Sequence, residues 1–261
     1  MSTLICRVHS RLPVAHVALY GTLDGTSAAR MMVTLRDCLA EAPTLLIVDV
    51  AHLVVGLESA LRPLVVLARE ARTWPRAHVA LCGAGPATVA MIAAAADGEE
   101  GPDMYPDVTS ATVAARGLPV SPREVLSLAP APEAPARSRQ FTQDTCALWG
   151  IGRVAAIAEL VASELVTNAV VHARTPFTVT LRFADGRLHV AVRDGDPRPM
   201  LRPSPGASGG PGDEHGRGLL LLDAMADAWG CSPTADGKVV WATITVPVRR
   251  PAGSGAPDGR A

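Results

Sequence analysis

The stretch that decides the fold of the second half of this chain is ELVTNAVVHA, residues 164–173. Apolar residues before and within it recur at helical spacing, which predicts a helix over residues 153–174. Glu164 and Asn168 lie one turn apart on this helix, on a face that is otherwise apolar. Burying either polar group without a partner costs roughly 1–3 kcal/mol. The two side chains therefore bind each other, nearby backbone or a ligand, and the pair alone does not decide between these.

Two glycine-containing segments follow further along the chain. DGD at residues 194–196 comes directly after a predicted strand, where a carboxylate beside glycine can accept a hydrogen bond from a ligand that lies close to the backbone. GRG at residues 216–218 opens a predicted helix, whose free N–H groups and positive dipole end suit an anion. Arg217 adds a guanidinium group for a phosphate. Each segment alone is equally compatible with an ordinary turn or an ordinary helix start.

The order of these pieces is more specific than any one of them. A helix with E-x-x-x-N, a hairpin, D-G, a Pro/Gly/Ser-rich loop and a G-x-G helix follow one another, and this order resembles the GHKL ATPase superfamily. More narrowly, the second half is similar to the anti-sigma-factor serine kinases. The segments that carry the resemblance are ELVTNAVVHA, VAVRDGDPRP, HGRGLLLLDAMADAWG and DGKVVW. The resemblance implies a GHKL (Bergerat) ATP-binding α/β sandwich.

The resemblance also implies roles for these positions, with ATP and Mg²⁺ as cofactors. Glu164 would be the general base that takes the proton from an acceptor serine, and Asn168 would be a ligand of the Mg²⁺ that bridges the ATP phosphates. Asp194 would accept a hydrogen bond from the adenine amino group. The other implied ATP-binding residues are Gly195, which lets the base lie close to the strand, and the phosphate-holding Gly216, Arg217 and Gly218.

Three positions depart from the pattern of the superfamily. Asp196 and Pro197 follow D-G where D-x-G-x-G would place glycine, and Val239 is taken to replace a threonine that supports adenine binding. The resemblance implies an ATP lid at residues 197–215. His172 extends the face of Glu164 by another turn, and a packed histidine is favoured there over a phosphate contact.

The first half alternates predicted strands and helices, which predicts an α/β layer. Its segments VALYGTLDG, LLIVDV, ESALRPL and HVALCGAG resemble STAS domains, the fold of anti-sigma-factor antagonists. The expected fold class is therefore α/β and α+β, with an N-terminal STAS-like sheet with helices before the ATP-binding sandwich. The expected domains are residues 1–117 (STAS-like), 118–136 (a Pro/Ala-rich linker, with an edge strand near 124–128), 137–248 (GHKL/HATPase-type kinase) and 249–261 (a disordered tail).

Ser59 occupies the position of the serine that is phosphorylated in STAS antagonists, within LESAL at residues 57–61. It is therefore the candidate phosphoacceptor of this chain. The alternative is an ordinary serine near a helix N-terminus. This alternative is slightly favoured because the neighbouring Glu58 supplies a fixed negative charge, which would imitate a permanently modified state.

Composition excludes several classes of protein. The formal net charge of -1 gives no electrostatic footprint for nucleic acid or an anionic membrane. The five cysteines are odd in number and contain no C-x-x-C pair, which favours thiols in a reducing compartment over disulfides or a zinc site. The N-terminus lacks the apolar core of a signal peptide, and no apolar stretch reaches the ~20 residues of a membrane span. We therefore expect a cytoplasmic protein.

The expected function is that of an ATP-dependent serine/threonine protein kinase in partner-switching control of transcription. Its expected partners are a STAS-domain antagonist, on which it would phosphorylate a serine, and a sigma factor or similar target, which it would sequester. A homodimer is left open. The alternative is a catalytically inactive module that uses both domains only to bind other proteins. A two-component histidine kinase is disfavoured because the Pro-rich linker offers no helix pair with an acceptor histidine.

Overall fold

The computed structural model describes residues 4–118, 121–198 and 214–247. Residues 199–213 of the predicted ATP lid (197–215) and the predicted disordered tail at 249–261 lie outside the described residues. None of the five cysteines forms a disulfide, as predicted. The mixed α/β fold class predicted from the sequence is confirmed, with one sheet in each half of the chain.

The N-terminal domain is a five-stranded sheet with helices on both faces. Strand β1 is antiparallel to β2, and the remaining neighbours are parallel, in the order β1-β2-β3-β4-β5. The short strands β1 and β5 were not predicted. The strands are β1 (Ile5–Ser10), β2 (Val14–Leu23), β3 (Leu45–Val55), β4 (His78–Cys82) and β5 (Asp103–Tyr105). The helices are α1 (Gly25–Ala40), α2 (Arg62–Thr73), α3 (Pro86–Ala96) and α4 (Val108–Ala115).

Local sequence explains where the first helix begins. The side chain of Asp24 accepts hydrogen bonds from the backbone N–H groups of Thr26 and Ser27, while the Ser27 hydroxyl accepts one from the Asp24 N–H. This reciprocal cap satisfies donors that the first turn of a helix leaves free. The apolar side of α1, with Met31 and Leu35, is then buried against the sheet.

The C-terminal domain is a five-stranded antiparallel sheet covered by helices on one face. Its strand order is β6-β7-β8-β10-β9. The strands are β6 (Arg123–Leu128), β7 (Phe177–Ala184), β8 (Arg187–Asp194), β9 (Ala228–Pro233) and β10 (Lys238–Thr245). The helices are α5 (Ala134–Leu148), α6 (Ala155–Asn168) and α7 (Glu214–Met225). Strand β6 lies inside the range predicted as linker and pairs with β7. The apolar pattern of the sequence predicts a helix from Gly216 to Trp229, but α7 ends at Met225 because β9 begins at Ala228.

A longer helical unit runs through this core. A 3-10 turn, α6 and a π-helical turn join into one helix from Gly152 to Ala173, of 22 residues. By length and composition it could cross a membrane, contrary to the expectation that no apolar stretch is long enough. In the structure its apolar side packs against α5 and the sheet. The arrangement is that of a core helix among the described residues.

The N-terminal domain covers the face of the second sheet that α5 and α6 leave free. Trp74, which follows α2, stacks on Trp241 of β10, with ring centroids 5.4 Å apart and ring planes 4° from parallel. Ala40, Ala191 and Val239 complete this buried cluster between the domains. The second sheet is therefore buried on both faces, by its own helices and by the other domain.

Arginines of the second sheet bind oxygen atoms of the N-terminal domain at the edge of this cluster. Arg193 on β8 contacts the carboxylates of Asp37 at 2.5 Å and Glu41 at 3.1 Å. Arg182 on β7 is buried and donates to the backbone carbonyl of Pro75. These charged contacts fix the orientation in which the apolar cluster packs.

We expect Asp37→Ala to weaken the contact between the domains. Asp37 is buried and also pairs with Arg11 at 2.8 Å, so its loss leaves two guanidinium groups without a shared carboxylate. The free energy of unfolding in urea should fall by about 1–3 kcal/mol. Glu70→Ala is the matched control, because it removes the more exposed partner of Arg36 and should cost less than about 1 kcal/mol. Equal losses in the two variants would contradict this account.

Candidate functional site

Glu164 and Asn168 lie at the edge of α6, not in its buried stripe. The stripe that faces the core consists of Ala158, Val161, Ala162, Leu165, Val166 and, one turn on, Ala169. Both polar residues are half-buried beside it. The expectation of an otherwise buried face is therefore only partly right. The pair stands where the helix surface leaves the core, which allows a ligand to reach it.

The Asn168 side chain has an unsatisfied polar atom. Its Nδ2 is buried and has no hydrogen-bond partner among the described residues. Amide nitrogen and oxygen are interchangeable by rotation about the terminal bond, so the same position offers either a donor or a carbonyl oxygen that can bind a cation. A ligand or a water molecule bound at this position would satisfy the atom.

The backbone changes form directly after Asn168. Residues Ala169–Ala173 make a π-helical turn, and Arg174 ends it in the left-handed region at φ 56°. Such turns inside helices frequently mark functional sites. Here the turn brings the chain to Thr175, whose hydroxyl accepts a hydrogen bond of 2.9 Å from the Gly195 N–H. The end of α6 is thereby tied to the D-G segment.

Gly195 lies in a tight space beside this contact. A Cβ added at Gly195 would lie 3.3 Å from the Thr175 hydroxyl oxygen. Gly237, at the turn between β9 and β10, is packed more closely still: a Cβ there would overlap the carbonyl oxygen of Asp194 and lie 2.7 Å from the Gly195 Cα. Gly237 was predicted only as part of a hairpin turn. It also shapes the end of β8.

Asp194 forms a buried ion pair with Lys238. The Lys238 Nζ lies 3.0 Å from Asp194 Oδ1, and the two residues face each other across β8 and β10. Their exposed fractions are only 5% and 6%, so the pair is almost fully removed from water. Lys238 is also the only lysine in the chain. A single lysine is visible in the sequence, but the spacing of the motifs did not predict that Lys238 belongs to the candidate site.

Val239 does not lie in the site. It points to the opposite face of β10 and packs in the cluster with Trp74. The resemblance placed the threonine that supports adenine binding at Val239. In the structure, the residue that pairs with Asp194 is its neighbour Lys238. The alternation of side chains along a strand explains the difference, because neighbouring residues face opposite sides of the sheet.

Asp196 and Arg198 extend the same network. Asp196 accepts hydrogen bonds from the Arg198 side chain, at 2.9 Å and 3.2 Å to its two carboxylate oxygens, and from the Arg198 backbone at 3.1 Å. These bonds, with a contribution from Lys238, hold the pKa of the Asp196 carboxyl well below its usual range. Arg198 also donates to the carbonyl oxygen of His172 in the π-helical turn, at 3.1 Å. The departure from glycine at this position therefore builds a contact between β8 and the end of α6.

The remaining predicted site residues are placed as follows. Gly216, Arg217 and Gly218 fall in the first turns of α7, which begins at Glu214. Ser59 is exposed in a short 3-10 helix before α2, far along the chain from these elements. Ser59 is the second residue of this 3-10 helix, which agrees with an ordinary serine near a helix N-terminus, and its phosphorylation stays a prediction.

The residues fit ATP and Mg²⁺ unequally at the two ends of the site. At the phosphate end, Asn168 offers a buried amide without a partner, and α7 offers a helix N-terminus. Both features suit a cation and anionic phosphates. At the base end, the carboxylate of Asp194 already accepts a hydrogen bond from Lys238. Asn168 and the start of α7 therefore fit a magnesium-bound triphosphate, whereas Asp194 is already paired with a cation.

Comparisons with known proteins place this site in a family. The family model described as a histidine kinase-like ATPase domain matches residues 128–244. An uncharacterised protein of Streptomyces coelicolor is 43% identical over 82 residues, which are 30% of this chain and 75% of that protein.

Solved structures give two further similarities. An anti-sigma factor antagonist from Mycobacterium paratuberculosis shares 21% identity at a TM-score of 0.37, over 44% of this chain and 95% of the other. The RsbU and RsbW domains of a Mycobacterium tuberculosis protein share 20% identity at a TM-score of 0.37, over 49% of this chain and 33% of the other. The chain therefore belongs to the same family as the Streptomyces coelicolor protein, and its residues 128–244 match the histidine kinase-like ATPase domain.

Proposed function

We propose that the C-terminal domain binds Mg²⁺·ATP and phosphorylates a serine on a separate STAS-domain protein, in a partner-switching system that controls a sigma factor. One observation carries this proposal: Glu164 and Asn168 stand one turn apart at the accessible edge of α6, and the Asn168 amide has a buried atom without a partner. A base and a metal ligand on successive turns of one rigid helix can act on the same phosphoryl group.

Each residue has a defined role in this proposal. Glu164 accepts the proton of the attacking serine hydroxyl, and Asn168 holds the magnesium ion. Bound Mg²⁺·ATP supplies the phosphoryl group and neutralises part of the phosphate charge. The N-terminus of α7 orients the phosphates through the backbone of its first turns, at Gly216, Arg217 and Gly218.

The position of Ser59 supports transfer to another molecule rather than within the chain. Ser59 precedes α2, whereas Trp74 at the other end of α2 contacts the second sheet. Helix α2 has 12 residues and is about 18 Å long. The contacted face of the sheet is the one turned away from α6. Ser59 is therefore held on the side of the sheet opposite Glu164, whereas a serine on a separate protein is not held there.

A second candidate function is a partner-binding module without catalysis. The observation that favours it is the Asp194–Lys238 pair, because a carboxylate already neutralised by lysine is a poorer acceptor for an adenine amino group. In this case the two domains would sequester a regulatory protein, and the site would hold nucleotide weakly or not at all.

We expect Asn168→Ala to weaken binding of Mg²⁺·ATP at least tenfold, which corresponds to about 1.4 kcal/mol. The reason is the loss of the proposed metal ligand. Titration calorimetry with the purified protein measures this directly. Gln140→Ala is the matched control, since Gln140 pairs with Asp144 on the exposed side of α5 and should bind as the wild type does. Equal affinity in both variants would rule out the site.

We expect Glu164→Gln to retain nucleotide binding within about twofold and to lose at least about 100-fold in phosphate transfer, the usual contribution of a general base. The assay is transfer of labelled phosphate from ATP to a panel of STAS-domain proteins. Ser59→Ala is the control and should transfer at the wild-type rate. A kinase whose main product is its own phosphorylated Ser59 would contradict transfer in trans. Binding without transfer by the wild type would favour the second candidate function.

A further inference from the structure

The ammonium group of Lys238 is held between two aspartates. It donates hydrogen bonds of 3.0 Å to Asp194 Oδ1 and 3.0 Å to the backbone oxygen of Asp196. It also forms an ion pair with Asp196 Oδ2 at 3.3 Å. At least two of its three N–H donors therefore have acceptors within the protein.

One oxygen of the Asp194 carboxylate is engaged by the same network. Its Oδ1 accepts from Lys238 and also from the backbone N–H of Asp196, at 2.9 Å. A hydrogen bond from an ammonium group to a carboxylate is roughly twice as strong as one between neutral groups, and the ammonium charge offsets the charge of the carboxylate. A neutral amino group of a base would therefore gain less from Asp194 than from an unpaired carboxylate.

The identity of the cation is itself informative. The chain has 24 basic residues counted as Lys plus Arg, and Lys238 is the single lysine among them. An ammonium group is a compact point charge with three donors, whereas a guanidinium group is planar and presents five. The ammonium group contacts both Asp194 and Asp196. Arg198 links Asp196 to the end of α6, because it donates hydrogen bonds to the Asp196 carboxylate and to the His172 carbonyl oxygen.

We propose that Lys238 fills the base subsite beside Asp194, so that this chain binds a nucleoside triphosphate through its phosphate end and does not select adenine. This inference rests on the proposed function, which places the base of the nucleotide at Asp194. The ligand class is a magnesium-bound triphosphate in which the base contributes little to affinity. Lys238 is then the residue that sets nucleotide specificity.

The test compares three probes in the full chain: Mg²⁺·ATP, Mg²⁺·GTP and magnesium tripolyphosphate. For the wild type we expect affinities for ATP and GTP within about threefold of each other. In Lys238→Thr, ATP should bind at least tenfold more tightly relative to GTP, a change of about 1.4 kcal/mol. Binding of tripolyphosphate should be unchanged.

Two further variants keep the test decisive. Lys238→Thr leaves the buried Asp194 without its cation, which destabilises the fold. Lys238→Gln is therefore made as well, because glutamine retains a hydrogen-bond donor for Asp194. It should show the same gain in ATP preference. The ratio of ATP to GTP affinity is measured within one variant and does not depend on the folded fraction. Val239→Thr is the matched control: its side chain faces the other domain, and the ratio should not change.

Three outcomes overturn the proposal. A wild type that prefers ATP over GTP at least tenfold contradicts a filled base subsite but leaves the proposed kinase intact. An unchanged ratio in Lys238→Thr and Lys238→Gln contradicts the role of Lys238 in the same way. If none of the three probes binds to the wild type or to any variant, the nucleotide site fails together with the proposed function.

Discussion

Strand β8 carries the constraint on which both domains depend, because its side chains alternate between two buried faces. Val190 and Val192 enter the core under α6, whereas Ala191 and Arg193 face the N-terminal domain. The side-chain period of a strand is two, so a shift of one residue in register would exchange these sets and remove both contacts together. The same register puts Asp194 on the helix side at the end of the strand.

Most of the fold could be predicted because it follows from periodicity and turn residues. Apolar runs predict the central strands and helices. Asp185-Gly186 lies between two alternating runs, and this dipeptide is typical of the tight turn of a hairpin such as the one between β7 and β8. Strand β1 is ICRVHS and β5 has three residues, so neither shows a clear apolar pattern. The contact between the domains depends on residues far apart in the chain, such as Trp74 and Trp241, and no local pattern reports it.

The candidate site was predictable at the positions that carry a motif and not at the positions that complete it. Glu164, Asn168 and Asp194 were found because the order of their segments resembles a known superfamily. Lys238 was missed because its role depends on the register of β10 against β8, and this register decides which of two neighbours faces the site. The orphaned amide of Asn168 likewise depends on packing that spacing alone does not specify.

The base subsite and the contact between the domains lie back to back on the same two strands. Lys238 pairs with Asp194 on the helix side, and the next pair, Val239 and Arg193, faces the N-terminal domain. A movement of the β10 backbone that withdrew Lys238 would pull Val239 out of its buried cluster with Trp74. That cluster opposes the movement because its apolar surface would return to water. Docking of the N-terminal domain therefore holds the β10 backbone in the register that pairs Lys238 with Asp194.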